Sequence, residues 1–454
     1  MRVTVIGTGH VGLVTCVTLA HLGHDVIGTD SDRSKIEAIM SGVSPFYEPG
    51  LDPLLHKGLT TQSLRFTHDA EEAIAGADVV VISVGTPPRA SGDANLVAVE
   101  AAGRAVARYA TGRCLIVEKS TVPTGTAARL RRTLVRERPD LSSELEVASN
   151  PEFLREGHAI HDALQPDRIL VGAESEWAHS VMRDLYRTLL EEGCELVPTD
   201  IATAELAKHA SNAFLALRIS FVNALARLCE RSGADIVSVA DVMGADSRIG
   251  RDFLDAGLGY GGSCFPKDLL ALERISAELG YQFPLLTEVA RINDETIEAT
   301  FAKVRDALWN LEDKTVALLG LAFKPGTDDI RFAPALALAG LLHAAGARVV
   351  GYDPKAMANA MVEMPELVCV ADPYEAVKDA HCVVVCTEWS EFAEVDLDRL
   401  RELMTYPIVV DGRNFLDLEE VRAARLTCYP TGRPPVLEDQ EAAPGSLMHV
   451  SRPA

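Results

Sequence analysis

The chain has 454 residues, a formal net charge of -23 and 48% hydrophobic residues. This length is too great for one hydrophobic core, so we expect two or three domains. The acidic balance argues against a nucleic-acid or anionic-membrane partner, since both need a basic face. Nine scattered cysteines without zinc-like pairing predict no metal site and favour a reducing, cytoplasmic compartment.

The first elements predict a dinucleotide-binding fold. An apolar strand at residues 2–6 precedes G-T-G-H-V-G at 7–12, a helix through Leu22, and a second strand that leads to Asp30. Between a strand and a helix, with an acidic residue about 20 positions on, this motif is strong evidence for a dinucleotide site. The glycines let the backbone approach a pyrophosphate at the helix N-terminus. A carboxylate at Asp30 suits ribose hydroxyls and repels a 2′-phosphate, so we predict NAD rather than NADP.

Further parallel strands are predicted at 79–84, 115–119 and 147–149, the last closing the first domain. In a doubly wound sheet, ligands bind beyond the carboxyl ends of the strands. Thr86 and Thr121 follow two of these ends and are candidates to face cofactor or substrate, although either could serve only its turn.

Two carboxylates follow the third of these strands. Glu152 and Glu156 are four residues apart and would share a face if their segment is helical. They form either a solvated face or an acid/base pair that positions the cofactor. His158 and His161 lie close by, but no third ligand has the spacing for a metal.

Residues 203–233 predict one long helix with two apolar stripes, which we expect to be buried as a spine between domains. Lys208 and Asn212 continue the second stripe, where a lysine needs a partner or must reach solvent. The first stripe comprises Leu206, Ala210, Phe214, Leu217, Phe221 and Leu228, and the second comprises Leu215, Ile219 and Val222.

The stretch G-Y-G-G-S-C-F-P-K-D at 259–268 predicts a glycine-rich turn that enters a helix. Cys264 would lie at or just before the helix N-terminus, where free N–H groups and the dipole favour the thiolate. Lys267 acts in the same direction, and Asp268 adds an acid/base group one turn away. These residues favour a nucleophile over a merely buried cysteine.

The order strand, turn, helix, strand and Asp is repeated in the last third of the chain. Strands at 315–319 and 348–352 flank a helix at 335–345, and Asp353 follows. The first loop of this repeat carries Lys324 in place of the glycine motif, which indicates a different phosphate-bearing ligand. The predicted fold is therefore α/β, with two Rossmann-like doubly wound domains joined by a long central helix.

Seven motifs, taken in order, resemble those of the nucleotide-sugar 6-dehydrogenases, and the likeness covers nearly the whole chain up to its tail. The cysteine motif is highly specific. The motifs are G-T-G-H-V-G at 7–12, S-T-V-P at 120–123, S-N-P-E-F-L-R-E-G at 149–157, K-x-x-x-N at 208–212, R-I-G at 248–250, G-Y-G-G-S-C-F-P-K-D at 259–268 and G-L-A-F-K-P at 320–325.

The resemblance implies roles for particular residues. The catalytic set is Cys264 as nucleophile with Lys208, Asn212, Asp268, Thr121 and Glu152. The residues that face NAD are Gly7, Gly9, Val11, Gly12, Asp30, Lys35, Thr86, Thr121, Glu156, Lys267 and Arg331. The residues that face the nucleotide sugar are Glu152, Lys208, Asn212, Phe253, Tyr260, Gly261, Lys324 and Arg413, with Arg248 reaching in from a partner subunit. The chain departs from the family at Phe332-Ala333, where an acidic residue often follows the arginine, and this puts the contacts of Arg331 in doubt.

The implied activity is a four-electron oxidation of UDP-glucose to UDP-glucuronate with two NAD, through a Cys264 thiohemiacetal and thioester. GDP-mannose and UDP-N-acetylmannosamine are alternative substrates. A two-electron hydroxyacid dehydrogenase and a non-catalytic NAD-binding regulator are the alternatives outside the class. The resemblance also implies a homodimer or larger homo-oligomer built on the central helix.

The expected domains follow this scheme. They are an NAD-binding domain at 1–200, a central helical dimerisation domain at 201–300, a UDP-sugar-binding domain at 301–435 and a disordered tail at 436–454.

Overall fold

A computed structural model describes residues 1–89 and 92–437 of the chain. The described residues form two compact units. Unit 1 comprises Met1–Leu217, Gly261–Ala290 and Gly326–Asp329, and unit 2 comprises Arg218–Tyr260, Arg291–Pro325 and the described residues from Ile330 on.

Fourteen strands are formed in the described part of the chain. They are β1 (Arg2–Ile6), β2 (Asp25–Thr29), β3 (Leu64–Thr67), β4 (Val79–Ile82), β5 (Cys114–Glu118), β6 (Leu145–Ser149), β7 (Arg168–Ala173), β8 (Glu195–Thr199), β9 (Thr315–Leu319), β10 (Arg348–Tyr352), β11 (Val368–Cys369), β12 (Cys382–Val385), β13 (Ile408–Asp411) and β14 (Thr427–Pro430).

Eighteen α-helices accompany them within the same described ranges. They are α1 (His10–His21), α2 (Arg33–Met40), α3 (Leu51–Thr61), α4 (Ala70–Ile74), α5 (Val97–Tyr109), α6 (Thr126–Glu137), α7 (Ala159–Leu164), α8 (Glu176–Leu185), α9 (Arg187–Glu191), α10 (Ile201–Ser232), α11 (Ile236–Gly244), α12 (Cys264–Glu278), α13 (Pro284–Leu308), α14 (Pro334–Ala344), α15 (Met357–Glu363), α16 (Pro373–Val377), α17 (Leu397–Leu403) and α18 (Leu418–Ala423).

The first sheet has the order β3-β2-β1-β4-β5-β6-β7-β8 and belongs to unit 1. Its first six strands run parallel, with the 3-2-1-4-5-6 order of a dinucleotide-binding fold. The order reverses between β1 and β4, so their carboxyl ends border the crevice in which ligands of such sheets bind.

Helices cover both faces of this sheet, and the residues of its central strands are divided between them. Val79 and Val81 of β4 pack in the core that contains α1, whereas Val80 and Ile82 pack in the core formed with α5 and α6. Successive side chains of a strand point to opposite faces. Because both faces are buried, the strand is apolar throughout and shows no alternation in sequence.

The second sheet repeats the plan in unit 2, with the order β11-β10-β9-β12-β13-β14 and parallel pairing throughout. Numbered from its own first strand, this is again 3-2-1-4-5-6. Asp353, which follows β10, is fully buried and accepts hydrogen bonds from the amides of Leu321 and Ala322 and from Nε1 of Trp389. The prediction of two Rossmann-like domains is confirmed, and here the repeated Asp holds the first loop of its sheet together.

The prediction that residues 147–149 close the first sheet is wrong. β7 adds to β6 in antiparallel orientation, and β8 then pairs parallel with β7. Asn150 helps to hold β7 in this place, because its side-chain amide donates to the Leu170 carbonyl at 2.8 Å. This long-range contact has no counterpart in the local sequence pattern.

The segment 150–157 is a loop, so Glu152 and Glu156 do not share a helix face. Pro151 cannot donate a backbone hydrogen bond, and Gly157 has a left-handed backbone with φ of +81°. Oε2 of Glu152 instead accepts from the amide of Leu154 at 2.6 Å, which turns the carboxylate back over its own loop.

The long helix is present as α10, but its burial differs from the prediction. Lys208, Asn212 and Val222 on the second stripe are buried. Phe214 and Leu228 of the first stripe are instead 58% and 60% exposed. Among the described helices, α10 is the one whose length and composition would allow it to cross a membrane, a test that core helices of soluble proteins also pass.

Residues 438–454 of the predicted tail lie outside the described residues. Val436, at the start of that tail, is buried and pairs with Cys428 through backbone hydrogen bonds of 2.8 and 2.9 Å.

Candidate active site

The glycine loop between β1 and α1 has the shape that a bound pyrophosphate requires. Gly7 has φ of +94°, and a Cβ added to Gly12 would lie 1.9 Å from the Gly7 carbonyl oxygen, so both positions exclude larger residues. A Cβ at Gly9 would meet no described atom within 4 Å. Gly9 therefore leaves open space at the helix N-terminus, where backbone N–H groups bind anions. Val11 is the second residue of α1 and lies at this helix N-terminus. The glycine loop between β1 and α1 therefore fits a dinucleotide.

Asp30 lies beyond the end of β2, as predicted, and is held in a fixed orientation. Its Oδ2 accepts from the amide of Thr8 at 2.8 Å and from Nζ of Lys35 at 3.2 Å, and its Oδ1 accepts from the amide of Asp32. Burial opposes ionisation, but these donors outweigh it and hold the pKa of Asp30 below its usual value. The carboxylate is thus charged at neutral pH.

The carboxyl ends of β4 and β5 are joined by side-chain hydrogen bonds. Oγ1 of Thr86 donates to the Thr121 carbonyl at 2.9 Å, and Oγ of Ser120 accepts from the amide of Val84 at 3.0 Å. Both predicted threonines therefore lie beyond the carboxyl ends of β4 and β5.

Cys264 is the first residue of α12 and its side chain is exposed. The helix begins two residues before Pro266, which occupies the third helical position. Gly261 is buried in the turn that precedes the helix. One turn along α12 lies Asp268, which is buried.

The prediction of a thiolate at Cys264 is wrong, because the pKa of the thiol is raised to about 11. Packing of protein atoms around the sulfur is the largest cause, even though part of the side chain meets solvent. The carboxylates of Glu152, Glu156 and Asp268 raise the pKa further, and Lys208 opposes them. One cation against three carboxylates does not favour a further negative charge on Sγ of Cys264.

Lys208 reaches the same group of residues from α10. Its Nζ lies 3.4 Å from Oε1 of Glu152, 3.5 Å from Oδ1 of Asn212 and 5.0 Å from the centre of the Phe153 ring. The lysine is 4% exposed and its carboxylate partner 8%. A buried ammonium with these partners is fixed in position and can stabilise a developing oxyanion.

Asp268 completes the cluster. Its Oδ2 accepts from Nδ2 of Asn212 at 2.5 Å, and its Oδ1 accepts from Nζ of Lys267 at 2.6 Å. Asn212 thereby joins the lysine to the aspartate. All six residues of the predicted catalytic set belong to unit 1. Five of them interact with one another, Cys264, Lys208, Asn212, Asp268 and Glu152, whereas the described contact of Thr121 is with Thr86.

Unit 2 carries most of the residues predicted to face the nucleotide sugar. The Arg413 guanidinium donates to the carbonyls of Cys386 at 2.7 Å, and of Gly259 and Phe323 at 3.4 Å each. Arg413 therefore ties together the loops that carry Tyr260 and Lys324.

The other predicted residues of unit 2 differ in exposure. Tyr260 is buried and its backbone amide donates to Asn293 at 2.8 Å, whereas Arg248 is exposed and pairs with Asp246 at 2.6 Å. Phe253 has a left-handed backbone with φ of +61°. Phe332, the residue that follows Arg331, is also left-handed, with φ of +51°. Such conformations cost about 1–3 kcal/mol in non-glycine residues and concentrate at functional sites.

Two buried residues near the cluster were missed from the sequence. Glu118 ends β5 and is fully buried, and its pKa is raised to about 8 chiefly by burial, with the charge of Glu205 adding to the effect. His209 lies beside Lys208 on α10 and is 1% exposed. His209 could have been found from the sequence, because it is one of four polar residues at helical spacing on an apolar helix: Glu205, Lys208, His209 and Asn212.

Within residues 1–89 and 92–437, no group of three or more His, Cys, Asp or Glu side chains could hold a metal ion.

The comparisons with known proteins agree on one family. Residues 1–190 match the NAD binding domain of the UDP-glucose/GDP-mannose dehydrogenase family, residues 202–295 its central domain and residues 317–418 its UDP binding domain.

Whole-chain relatives extend this match. A UDP-glucose 6-dehydrogenase of Rhizobium meliloti (strain 1021) is 44% identical over 96% of this chain and 100% of its own length. The UDP-glucose 6-dehydrogenase TuaD of Bacillus subtilis (strain 168) is 42% identical over 96% of this chain and 94% of its own. The solved structure of a UDP-glucose dehydrogenase from Pyrobaculum islandicum has a TM-score of 0.85 at 40% identity, covering 92% of this chain and 95% of that one. The chain therefore belongs to the UDP-glucose/GDP-mannose dehydrogenase family.

Proposed function

We propose that the chain oxidises UDP-glucose to UDP-glucuronate with two NAD, through a thioester on Cys264. The observation that carries this proposal is the cluster in unit 1, where Asn212 bonds to both Lys208 and Asp268. The charges of Lys208 and Asp268 act on Cys264, which begins helix α12. A two-electron alcohol oxidation has no use for a thiol beside a buried ammonium. The names of the relatives support the substrate.

The first oxidation converts the C6 alcohol to an aldehyde. NAD, when bound, supplies the hydride acceptor for this oxidation and for the second. Glu152 takes the hydroxyl proton through a bound water that Thr121 positions, and Lys208 with Asn212 stabilises the oxyanion. The glycine loop, Val11, Asp30, Lys35, Thr86, Glu156, Lys267 and Arg331 hold the dinucleotide.

Cys264 retains the aldehyde for the second oxidation. Its Sγ bonds to the aldehyde carbon, the carbonyl electron pair moves to the oxygen, and the thiol proton passes to a neighbouring carboxylate, which suits a thiol with a raised pKa. The thiohemiacetal anion that results loses the second hydride and becomes a thioester. Water, oriented by Asp268, then releases the carboxylate and restores the thiol.

The nucleotide sugar is assigned to two groups of residues. Glu152, Lys208, Asn212 and Gly261 face the reacting end. Phe253, Tyr260, Lys324 and Arg413 face the nucleotide, and Arg248 comes from a second subunit.

The experiment that tests this proposal measures how many NADH molecules form per UDP-glucuronate. Purified chain with UDP-glucose and excess NAD should form two NADH per UDP-glucuronate, without free aldehyde. Cys264→Ser should stall after the first oxidation, with acid formation reduced by at least 1000-fold and one NADH per aldehyde. Wild-type yield of one NADH per sugar, or acid formation that survives Cys264→Ser, would contradict the proposal.

The alternatives separate in the same assay. Faster turnover of GDP-mannose or UDP-N-acetylmannosamine in a substrate panel would replace UDP-glucose within the class. Oxidation of simple hydroxyacids with Cys264→Ser fully active would indicate a two-electron hydroxyacid dehydrogenase. NAD binding without turnover of any nucleotide sugar would indicate a regulator.

The assembly and compartment belong to the same proposal. The exposed side chains Leu206, Phe214, Phe221 and Leu228 of α10 support a homodimer or larger homo-oligomer that covers this stripe. All nine cysteines lie in the described ranges and are free, which supports the reducing cytoplasm. Light scattering and cell fractionation test these two points.

The domain limits proposed are 1–200 for NAD, 201–300 for the central helical dimerisation domain and 301–435 for the UDP-sugar. No membrane or nucleic-acid partner is proposed, because a chain with a net charge of -23 lacks the cationic excess for either.

A further inference from the structure

His209 is a buried imidazole on α10 whose orientation is set by one hydrogen bond. Its Nε2 lies 3.0 Å from the carbonyl oxygen of Val122, in the loop after β5. A carbonyl can only accept a hydrogen bond, so Nε2 carries the ring proton. The neutral ring therefore presents the lone pair of Nδ1 on its other side.

That lone pair faces the proposed catalytic aspartate. Nδ1 lies 4.0 Å from Oδ1 of Asp268, and within the described part of the chain it has no hydrogen-bond partner. A buried acceptor left without a partner costs about 1–3 kcal/mol. A proton between Nδ1 and Oδ1 would satisfy both atoms, so the geometry is that of a base placed behind a carboxylate.

Burial and the nearby ammonium groups keep the His209 ring unprotonated at Nδ1 at neutral pH. Burial lowers the pKa of His209 most, and the nearby ammonium groups of Lys267 and Lys208 lower it further. The Asp268 carboxylate and the Val122 carbonyl oppose them. The carboxyl group one turn back, Glu205, has a pKa raised chiefly by burial and already accepts from the amides of Gly125 and Ala127. The net pKa lies below the ordinary histidine value, so the ring is neutral and able to accept a proton.

We propose that His209 is a positioning residue that takes, through Nδ1, the proton which Asp268 removes from water in thioester hydrolysis. This inference rests on the proposed function. Asp268 alone would have to hold that proton beside the Lys267 ammonium, 2.6 Å away. Relay to Nδ1 returns Asp268 to the charged form that pairs with this ammonium. Approach of the two side chains by about 1 Å makes the transfer possible, since such contacts are often long without substrate.

The step balances in atoms and charge. The water oxygen bonds to the acyl carbon while one water proton passes to Asp268 and then to His209. The bond from carbon to Sγ of Cys264 breaks, with its electron pair going to sulfur. The second water proton moves to that sulfur, which leaves a carboxylate, a thiol and an imidazolium that returns its proton to solvent.

His209→Gln is the sharpest variant, because its amide nitrogen can still donate to the Val122 carbonyl while no titrating base remains. We expect kcat for acid formation to fall about 100-fold, the low end of the range for general acid–base groups. KM for UDP-glucose and NAD should stay within twofold. The fraction of Cys264 recovered as acyl-enzyme after acid quench, measured by mass spectrometry, should rise, and the histidine ionisation should leave the kcat–pH profile.

His24→Gln is the matched control. His24 makes the same type of bond, with Nε2 2.8 Å from the Leu185 carbonyl, and is absent from the proposed site. This variant should keep wild-type kcat and pH profile. Should His209→Gln fail to fold by its melting temperature, His209→Asn places a non-titrating amide near Nδ1 and should show the same acyl-enzyme build-up.

Unchanged kcat, pH profile and acyl-enzyme level in a folded His209 variant would overturn the inference alone. Failure of wild-type protein to form two NADH per acid would overturn the proposed function as well, so the two failures are told apart by the wild-type measurement.

Discussion

Replacing the buried Glu118 by glutamine should change how the stability of the chain depends on pH. Oε1 of Glu118 accepts from the amide of Ser120 at 3.1 Å, and its Oε2 has no hydrogen-bond partner among the described residues. Burial raises the pKa of this carboxyl to about 8, from 4.5 in an ordinary setting. The folded chain therefore holds a proton that the unfolded chain releases between these two pH values.

The sign follows from that difference. Below pH 4.5 both states are protonated and Glu118 adds no pH dependence. As the pH rises toward 8, the unfolded state gains by ionising, so the wild-type chain loses stability. Each pH unit inside the window is worth about 1.4 kcal/mol, so Glu118 costs the wild-type chain about 2.5 kcal/mol between pH 5 and pH 7. Glutamine does not ionise and should not show this loss.

The assay is urea unfolding of wild type and Glu118→Gln at pH 5, 6 and 7, followed by circular dichroism. The glutamine N–H₂ replaces an oxygen without a described partner, and this shifts the free energy of unfolding by the same amount at every pH. The test is therefore how the difference in unfolding free energy between variant and wild type changes with pH. The variant should gain on wild type by about 2.5 kcal/mol over this range. Glu137→Gln, at the exposed end of α6, should run parallel to wild type. A Glu118→Gln difference that stays constant from pH 5 to pH 7 would refute the reasoning.

Two further predictions concern the glycine loop and the nucleophile. Gly12→Ala forces a Cβ to within 1.9 Å of the Gly7 carbonyl and should destabilise the chain by about 2 kcal/mol. The Cβ of Gly9→Ala would meet no described atom, so the melting temperature of this variant should equal that of wild type. Its NAD affinity, measured by calorimetry, should fall at least tenfold. Equal losses of stability in the two variants would contradict this prediction. At pH 8 iodoacetamide should alkylate Cys264 on the order of 100-fold more slowly than free cysteine, since the free thiol has a pKa of about 8.5. Its rate should rise toward pH 11, and peptide mass spectrometry that found the rate of free cysteine would refute the raised pKa of Cys264.

Much of the fold was predictable because its signals are local. The strands Arg2–Ile6, Thr315–Leu319 and Arg348–Tyr352 were predicted to the residue, since each is a short apolar run bounded by turn residues. The glycine motif and Asp30 required no contact beyond their own βαβ unit. Lys208 and Asn212 were identified as polar residues on an apolar helical stripe.

Other features depend on partners that are distant in sequence. β7 pairs antiparallel with β6 across 18 intervening residues, and local composition carries no information about strand direction. Glu152 and Glu156 would share a face only if their segment were helical. The segment is a loop, set by Pro151, Gly157 and the long-range bond of Asn150.

The sequence alone determined the two Rossmann-like sheets, the dinucleotide loop and the cysteine at the start of a helix, because periodicity and turn chemistry act over a few residues. Only the tertiary structure decided the ionisation of Cys264 and the position of His209 behind Asp268. Both depend on charges brought within a few ångströms from α10, α12 and the 150–157 loop, and electrostatic energies are set by distance in space.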